Sequence, residues 1–359
     1  MEKEKIVVGL SGGVDSSVAA YLLKEEGYEV IGVTMTHFRD GDSSKGEASA
    51  ADKIVEDAAR VADFLGIEHH VTDVCSEFRE KVVDYFIKEY LFGRTPNPCV
   101  VCNRYIKWKA LMERGEKLGA SLIATGHYAL TEQLANGRYT LKCASSAKKD
   151  QTYALYGLSQ EQLKRTRMPL GVYTKDQVRA LAEKVGIPVA KKPDSMEICF
   201  IPDKDYARFI EKNSDAVIPK GNYVNAKGEI LGEHQGIIHY TVGQRKGLNL
   251  AMGHPVFVTQ IRPDTNEVVL GESGEVFSKA LYCSKLNAMS VEKFTDGMEV
   301  TAKIRYNHAG APAVLKRAGE DELIVEFKEP QRAITPGQAV VFYQDGYVAG
   351  GGIIDKIAW

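Results

Sequence analysis

The 359-residue chain has no apolar run near the roughly 20 residues a helix needs to cross a bilayer, and Met1-Glu2-Lys3-Glu4-Lys5 runs charged into a strand. Neither a membrane span nor a secretory signal is expected, and the cytoplasm is the default compartment. An excess of either charge is also lacking: 46 Lys plus Arg against 48 Asp plus Glu leave a net charge of −2 and a pI near 6.5. Global charge therefore makes no case for a nucleic-acid binder, and any such partner must be held by local patches. Cysteine is sparse, with six in the chain, too few for a disulfide scaffold at this length. Internal repeats and low-complexity tracts are absent as well.

What is there begins with an alternation of short apolar runs and helical periodicity. Strands are predicted near Ile6 to Leu10, Glu29 to Thr34 and Glu68 to Asp73, with helices from Asp15 to Glu26 and Ala48 to Leu65. This β-α-β grammar predicts a parallel sheet whose ligands gather at the carboxyl ends of its strands. Met35, just past the second strand, and Gly126-His127, just past Leu122-Ile123-Ala124, fall at such ends. The polar stretch from Arg39 to Ala50 reads as a mobile loop beside the site. After about Phe200 the pattern changes to short alternating strands, with candidates at Gly236 to Thr241, Pro255 to Ile261, Glu267 to Leu270, Glu299 to Arg305, Ala313 to Lys316, Leu323 to Phe327, Ala339 to Tyr343 and Tyr347 to Ile354. That predicts one or two small β domains, with Gly271-Glu272-Ser273-Gly274 as a boundary.

The strand end at Gly9 opens into Leu10-Ser11-Gly12-Gly13-Val14-Asp15-Ser16-Ser17 and then a helix. Glycines let the backbone approach an anion, serines offer hydroxyls, and the first N–H groups of the helix point at whatever fills the loop. Neither the dinucleotide fingerprint nor the Walker pattern fits, because no lysine follows the glycines. The string S-G-G-x-D-S-S instead resembles the signature of the ATP pyrophosphatases, which split ATP between its α and β phosphates. In that resemblance Asp15 is the magnesium contact.

A second signal is Arg94-Thr95-Pro96-Asn97-Pro98-Cys99-Val100-Val101-Cys102-Asn103, a C-x-x-C at the start of a helix expected from Arg104 to Leu118. A helix N-terminus and the cations Arg94, Arg104 and Lys107 would favour a thiolate. A zinc site would need a second ligand pair, and no second C-x-x-C exists. A further cysteine, Cys199, stands in Ser195-Met196-Glu197-Ile198-Cys199-Phe200 on a loop-like segment, where by itself it reads as a core residue. Cys75, Cys143 and Cys283 read as packing residues. Basic groups at Lys148-Lys149, Lys164-Arg165-Arg167, Lys191-Lys192 and Arg245-Lys246 read as solvated faces, or as a phosphate track if they share a cleft.

Taken together, the phosphate loop, Thr95 to Asn103, Gly126-His127-Tyr128, Lys149-Asp150-Gln151, Ser195 to Phe200, Thr241 to Leu248 and Arg305-Tyr306 resemble the bacterial tRNA-specific 2-thiouridylase family along essentially the whole chain. The resemblance implies a Rossmann-like, parallel-sheet α/β ATP-pyrophosphatase (PP-loop) domain over residues 1–204. A small central β-rich domain over 205–273 and a C-terminal β-barrel over 274–359 would follow. It implies that Gly9, Leu10, Ser11, Gly12, Gly13, Val14, Asp15, Ser16, Met35 and Gly126 hold ATP with Mg2+, and that the wobble uridine C2 oxygen is adenylated. Cys199 would carry a persulfide sulfur from a sulfur carrier or cysteine desulfurase, and Cys102 would release it, leaving a Cys102–Cys199 disulfide. Asn97, Pro98 and Cys99 would meet the target base of the tRNA anticodon loop, and His127, Lys149, Asp150, Gln151, Arg305, Tyr306 and Gln338 would contact tRNA.

One departure leaves alternatives open. Some family members carry Asp where this chain has Cys99, so Cys99, Cys102 and Cys199 are also candidate ligands of a [4Fe-4S] cluster, and Cys99 is otherwise a bystander. Two further readings stand beside these: an ATP pyrophosphatase that adenylates a small metabolite, and a non-catalytic RNA-binding or sulfur-carrier module.

Overall fold

The computed structural model describes residues 3–38, 50–194 and 198–358, and the chain divides into two compact units. The first comprises Met1–Val82, Cys99–Met196 and Asp345–Val348; the second comprises Val83–Pro98, Glu197–Gln344 and Ala349–Trp359.

In the first unit, β1 Lys5–Gly9 leads into α1 Val14–Glu25, β2 Glu29–Thr36, α2 Ala50–Leu65 and β3 Glu68–Asp73. Then come β4 Leu122–Ala124, a hairpin of β5 Leu130–Gln133 and β6 Tyr139–Lys142, and β7 Thr166–Arg167. The parallel sheet runs β3-β2-β1-β4-β7, so β1 has β2 on one side and β4 on the other. Connections therefore diverge at the carboxyl end of β1, which opens a crevice there. The glycine loop follows β1 and Gly126 follows β4, so both sit at that switch point. Under the sheet Ile6, Val8, Val18, Ala58, Val61 and Leu122 form the core, with apolar runs buried on both faces as parallel strands require.

Several expectations are adjusted. β2 runs two residues further than predicted, so Met35 lies inside the strand, paired with Thr72, and not beyond its end. The expected loop from Arg39 to Ala50 falls outside the described residues up to residue 49. The helix expected from Arg104 begins as a π-helical turn, Asn103–Lys107, before Trp108–Lys117. That wider turn brings residues five apart onto one face, and both ends are buried and tied: Asn103 Nδ2 donates to Ala154 O (3.0 Å) and Trp108 Nε1 to Thr166 Oγ1 (2.8 Å).

The second unit holds a four-stranded sheet, β10-β11-β8-β9, made of β8 Gly221–Val224, β9 Ile230–His234, β10 Phe257–Arg262 and β11 Glu267–Gly271. Gly236 to Thr241, expected as a strand, is a 3-10 turn over Ile237–His239 entered through Gly236 at φ 120°, and its Ile237 and Tyr240 fill the core of this sheet. Six further strands close into a barrel: β12 Phe277–Ala288, β13 Met298–Lys303, β14 Ala311–Arg317, β15 Glu322–Arg332, β16 Ala339–Gln344 and β17 Tyr347–Ala358. They run β12-β15-β14-β13-β16-β17, and β17 pairs back with β12, which leaves no open edge. The helix Tyr206–Asn213, capped by Asp205, packs Phe209 on Phe86 and Phe200 in an aromatic cluster. No helix among the described residues is long and apolar enough to cross a membrane.

Candidate functional site

Gly12 adopts φ +62°, and a Cβ there would meet the Ile54 carbonyl oxygen at 2.8 Å and Asp57 Cβ at 2.9 Å, so only glycine turns the loop against α2. Ser16 closes the loop from within: the Ser11 amide donates to its Oγ (3.1 Å), which donates to Gly13 O (3.1 Å). Gly13 is the N-cap of α1 and supplies no side-chain cap, so the first-turn N–H groups are left for an acceptor from outside the helix. Gly126 is held to glycine by proximity, since a Cβ there would lie 2.7 Å from the backbone of Asp15 and Ser16. The loop thus has the form of an anion cradle.

Around it stands a charge network that the sequence did not disclose. Lys175 Nζ donates to both oxygens of Asp15 (2.8 and 2.9 Å) and pairs with Asp194 (2.8 Å). Tyr128 donates its hydroxyl to Asp15 Oδ1 (2.7 Å), and burial together with that carboxylate pushes the phenol pKa up, so it remains a donor. Arg179 and Lys149 complete the shell of Asp194 at 2.6 and 3.0 Å. Burial would raise the Asp194 pKa, but hydrogen bonds and charge from Lys175 and Lys149 hold it at about 2. Lys192, read as part of a solvated basic pair, is instead turned inward: it donates to Gly12 O (2.9 Å) and to the buried Asp57 (2.6 Å).

All six cysteines are free thiols, with Cys99 and Cys199 exposed and Cys102 and Cys283 buried. Cys75 and Cys143 are half-buried, and Cys75 Sγ donates to Thr36 O (3.4 Å). The C-x-x-C opens a continuous helical run over 98–117, as expected, but Cys102 is buried within it. Cys102 ends the short helix Pro98–Cys102, and burial raises its thiol pKa, partly offset by Lys107. Arg94, expected to assist, is tied inside the second unit to Glu89 (2.7 Å) and Asp355 (3.5 Å). Phe200 is buried in the aromatic cluster, so the exposed turn at Cys199 is anchored from its next residue; Ser195, Met196 and Glu197 lie outside the described residues. Among the described residues no three His, Cys, Asp or Glu side chains group as metal ligands.

The residues expected at RNA divide between the units. In the first, His127 shares a hydrogen bond with Thr125 Oγ1 (2.9 Å) and packs on Trp108; burial and Lys107 push its pKa down to about 3, so the ring is neutral. Asp150 accepts from the Ala144 amide (3.0 Å) and the Thr152 hydroxyl (2.6 Å), and Gln151 Oε1 accepts from the Tyr128 amide (2.8 Å). Those two side chains shape the loop that carries Lys149. In the second unit, Arg305 and Gln338 line one cleft of about 270 Å³ together with Thr95, Thr241 and Arg332. Gln338 Nε2 donates to Thr95 O (2.7 Å), Thr95 shares a hydrogen bond with Thr241 (3.1 Å), and Arg305 donates to Arg332 O (3.0 Å). Asn97 is half-buried, Pro98 is buried and Tyr306 is 42% exposed.

Three family models match the chain: the tRNA methyl transferase HUP domain over residues 4–203, the tRNA methyl transferase PRC-barrel domain over 207–272 and the aminomethyltransferase beta-barrel domain over 278–354. Among curated relatives, the tRNA-specific 2-thiouridylase MnmA of Lachnoclostridium phytofermentans is 58% identical, covering 98% of this chain and 100% of the relative. The proteins of the same name from Carboxydothermus hydrogenoformans and Clostridioides difficile are 51% and 49% identical, covering 99% and 98% of this chain and 98% of each relative. On this full-length similarity, the chain belongs to the tRNA-specific 2-thiouridylase family.

Proposed function

We propose that the chain is an ATP-dependent tRNA-uridine 2-sulfurtransferase acting on the wobble uridine of the anticodon loop. The observation that carries this reading is the 58% identity over nearly the whole of both chains with a named tRNA-specific 2-thiouridylase. The anion cradle at α1 and its cationic surround support the ATP half of the reaction. In this reading residues 1–204 carry the chemistry, and 205–273 and 274–359 hold tRNA.

A uridine C2 carbonyl resists substitution because its oxygen leaves poorly. The C2 oxygen attacks the α-phosphorus of ATP, pyrophosphate departs, and the oxygen is now part of an AMP leaving group. The helix N-terminus and nearby cations stabilise the charge that accumulates on the phosphates. Asp15, with phosphate oxygens, is the residue that would hold Mg2+, which when bound screens the triphosphate charge. Cys199 carries an outer sulfur as a persulfide, supplied by a sulfur carrier or a cysteine desulfurase. The Cys102 thiolate attacks the inner sulfur and releases the outer one as sulfide, which bonds to C2 as AMP leaves. Both cysteines end oxidised as a disulfide, which an external thiol reduces before the next cycle.

Pyrophosphate release from ATP, measured with and without unmodified tRNA and followed by mass spectrometry of the nucleosides, tests the reading. We expect tRNA-stimulated release and 2-thiouridine. Cys102→Ser and Cys199→Ser should keep pyrophosphate release and lose 2-thiouridine, while Asp15→Ala should lose both. Release that depends on a small metabolite would favour a synthetase, and no release at all a binding module.

A further inference from the structure

The phosphate loop contains no lysine, yet a lysine ammonium lies against its aspartate. Lys175 is 160 residues from Asp15 in sequence, and its side chain is only 12% exposed. It is the first residue of the helix Lys175–Val185, whose start is fixed by a reciprocal capping box between Thr174 and Gln177, so the base of the side chain is rigidly placed. Arg179 follows one turn later on the same face and shares Asp194 with Lys175.

We propose that Lys175 is a triphosphate-binding residue, supplying from a distant helix the cation that the loop itself lacks. The inference rests on the ATP-dependent reading above and assigns a residue to its nucleotide site. The network sets three cations, Lys149, Lys175 and Arg179, against two carboxylates, Asp15 and Asp194, leaving positive charge in excess beside an uncapped helix N-terminus. Without nucleotide, Lys175 and Asp15 neutralise one another. With nucleotide, Asp15 would be the residue to hold Mg2+, and the ammonium, released from it, swings on its four-carbon stem to the phosphate oxygens. Asp194 keeps hold of it through that exchange.

The other two lysines are worse placed for this task. Lys192 is committed to a loop carbonyl and to buried Asp57, which makes it a brace for the loop. Lys149 is 37% exposed and pairs with Asp194, whereas the ammonium on the loop aspartate is that of Lys175.

The test compares ATP, AMP and inorganic pyrophosphate in equilibrium binding to the full chain with magnesium and without RNA, alongside thermal unfolding. Lys175→Met should weaken ATP at least tenfold and pyrophosphate similarly, while AMP affinity changes less than twofold. Lys175→Arg, which retains the charge and the pair with Asp15 but not the compact ammonium, should fold like the parent and bind ATP several-fold more weakly, again sparing AMP. It decides the matter should the methionine variant fail to fold. Equal losses for ATP and AMP, or unchanged ATP affinity in a folded variant, would overturn the assignment. A parent protein that binds neither nucleotide nor pyrophosphate would overturn the ATP-dependent reading itself, and this inference with it.

Discussion

Cys102 is a thiol that the protein keeps quiet. Burial raises its pKa, so at neutral pH it is protonated and shielded, whereas Cys99 and Cys199 are exposed. An alkylating reagent reacts with thiolate and needs access, so Cys99 and Cys199 should be modified at pH 7 at least tenfold faster than Cys102. Because the Cys102 pKa is raised, its labelling should climb steeply as pH increases past the ordinary thiol range near ~8.5. Mass spectrometry of peptides after timed iodoacetamide treatment reads all three, and equal rates would refute the shielding. The C-x-x-C was legible in sequence, but its burial was not, because a short motif does not say which of its residues faces inward. Lys175 was invisible for a different reason. Its partner Asp15 is brought to it by the fold, and nothing in Tyr173-Thr174-Lys175-Asp176 sets that lysine apart from the many solvated ones.

Elements were legible where hydrophobic pattern and burial coincide. Strands β1, β2 and β4 of the parallel sheet, largely buried, read as apolar runs, while β3, an edge strand with no residue fully buried, still matched from Glu68 to Asp73. β12 was missed because, of its 12 residues, only Leu281 and Cys283 are buried, so it shows little alternation. The β5–β6 hairpin was missed because β5 buries none of its residues fully. Conversely, Ile237-Ile238-His239-Tyr240 looked like a strand because a tight turn can also bury consecutive apolar side chains. The junction of β4 with α1 yields a prediction at this scale. A Cβ on Gly126 would collide with backbone, not with a movable side-chain tip, so Gly126→Ala must push the first turn of α1 aside. Overpacking of this kind costs roughly 1–3 kcal/mol. Urea denaturation should show that loss, and ATP binding should weaken with it. Gly274→Ala, placed in open space, is the control and should stay within about 0.5 kcal/mol of the parent. A Gly126→Ala protein as stable as that control would show that the close approach is dispensable.

At the scale of the whole chain, charge is nearly balanced, with a net −2, so attraction for a polyanion cannot come from the molecule as a whole. It must come from places where cations outnumber their partners. The second unit brings two arginines into one cleft, where Arg305 gives a hydrogen bond to a carbonyl and the Arg332 guanidinium lies 5.2 Å over the Phe257 ring. If tRNA is held through such cations, binding releases counterions, and log K falls linearly with log salt by about 0.7 to 0.9 for each phosphate neutralised. A chain of balanced charge that binds through a few local cations should show a slope of a few units, not the roughly −10 of an extensively basic interface. Arg305→Ala should make that slope shallower by about one contact. It should leave ATP affinity unchanged, because Arg305 belongs to the second unit and the anion cradle to the first. Filter-binding titrations over a salt series check both parts. An unchanged slope in the variant would mean that the cleft takes no phosphate, and a salt-independent complex in the parent would mean that shape and base contacts, not charge, hold the RNA.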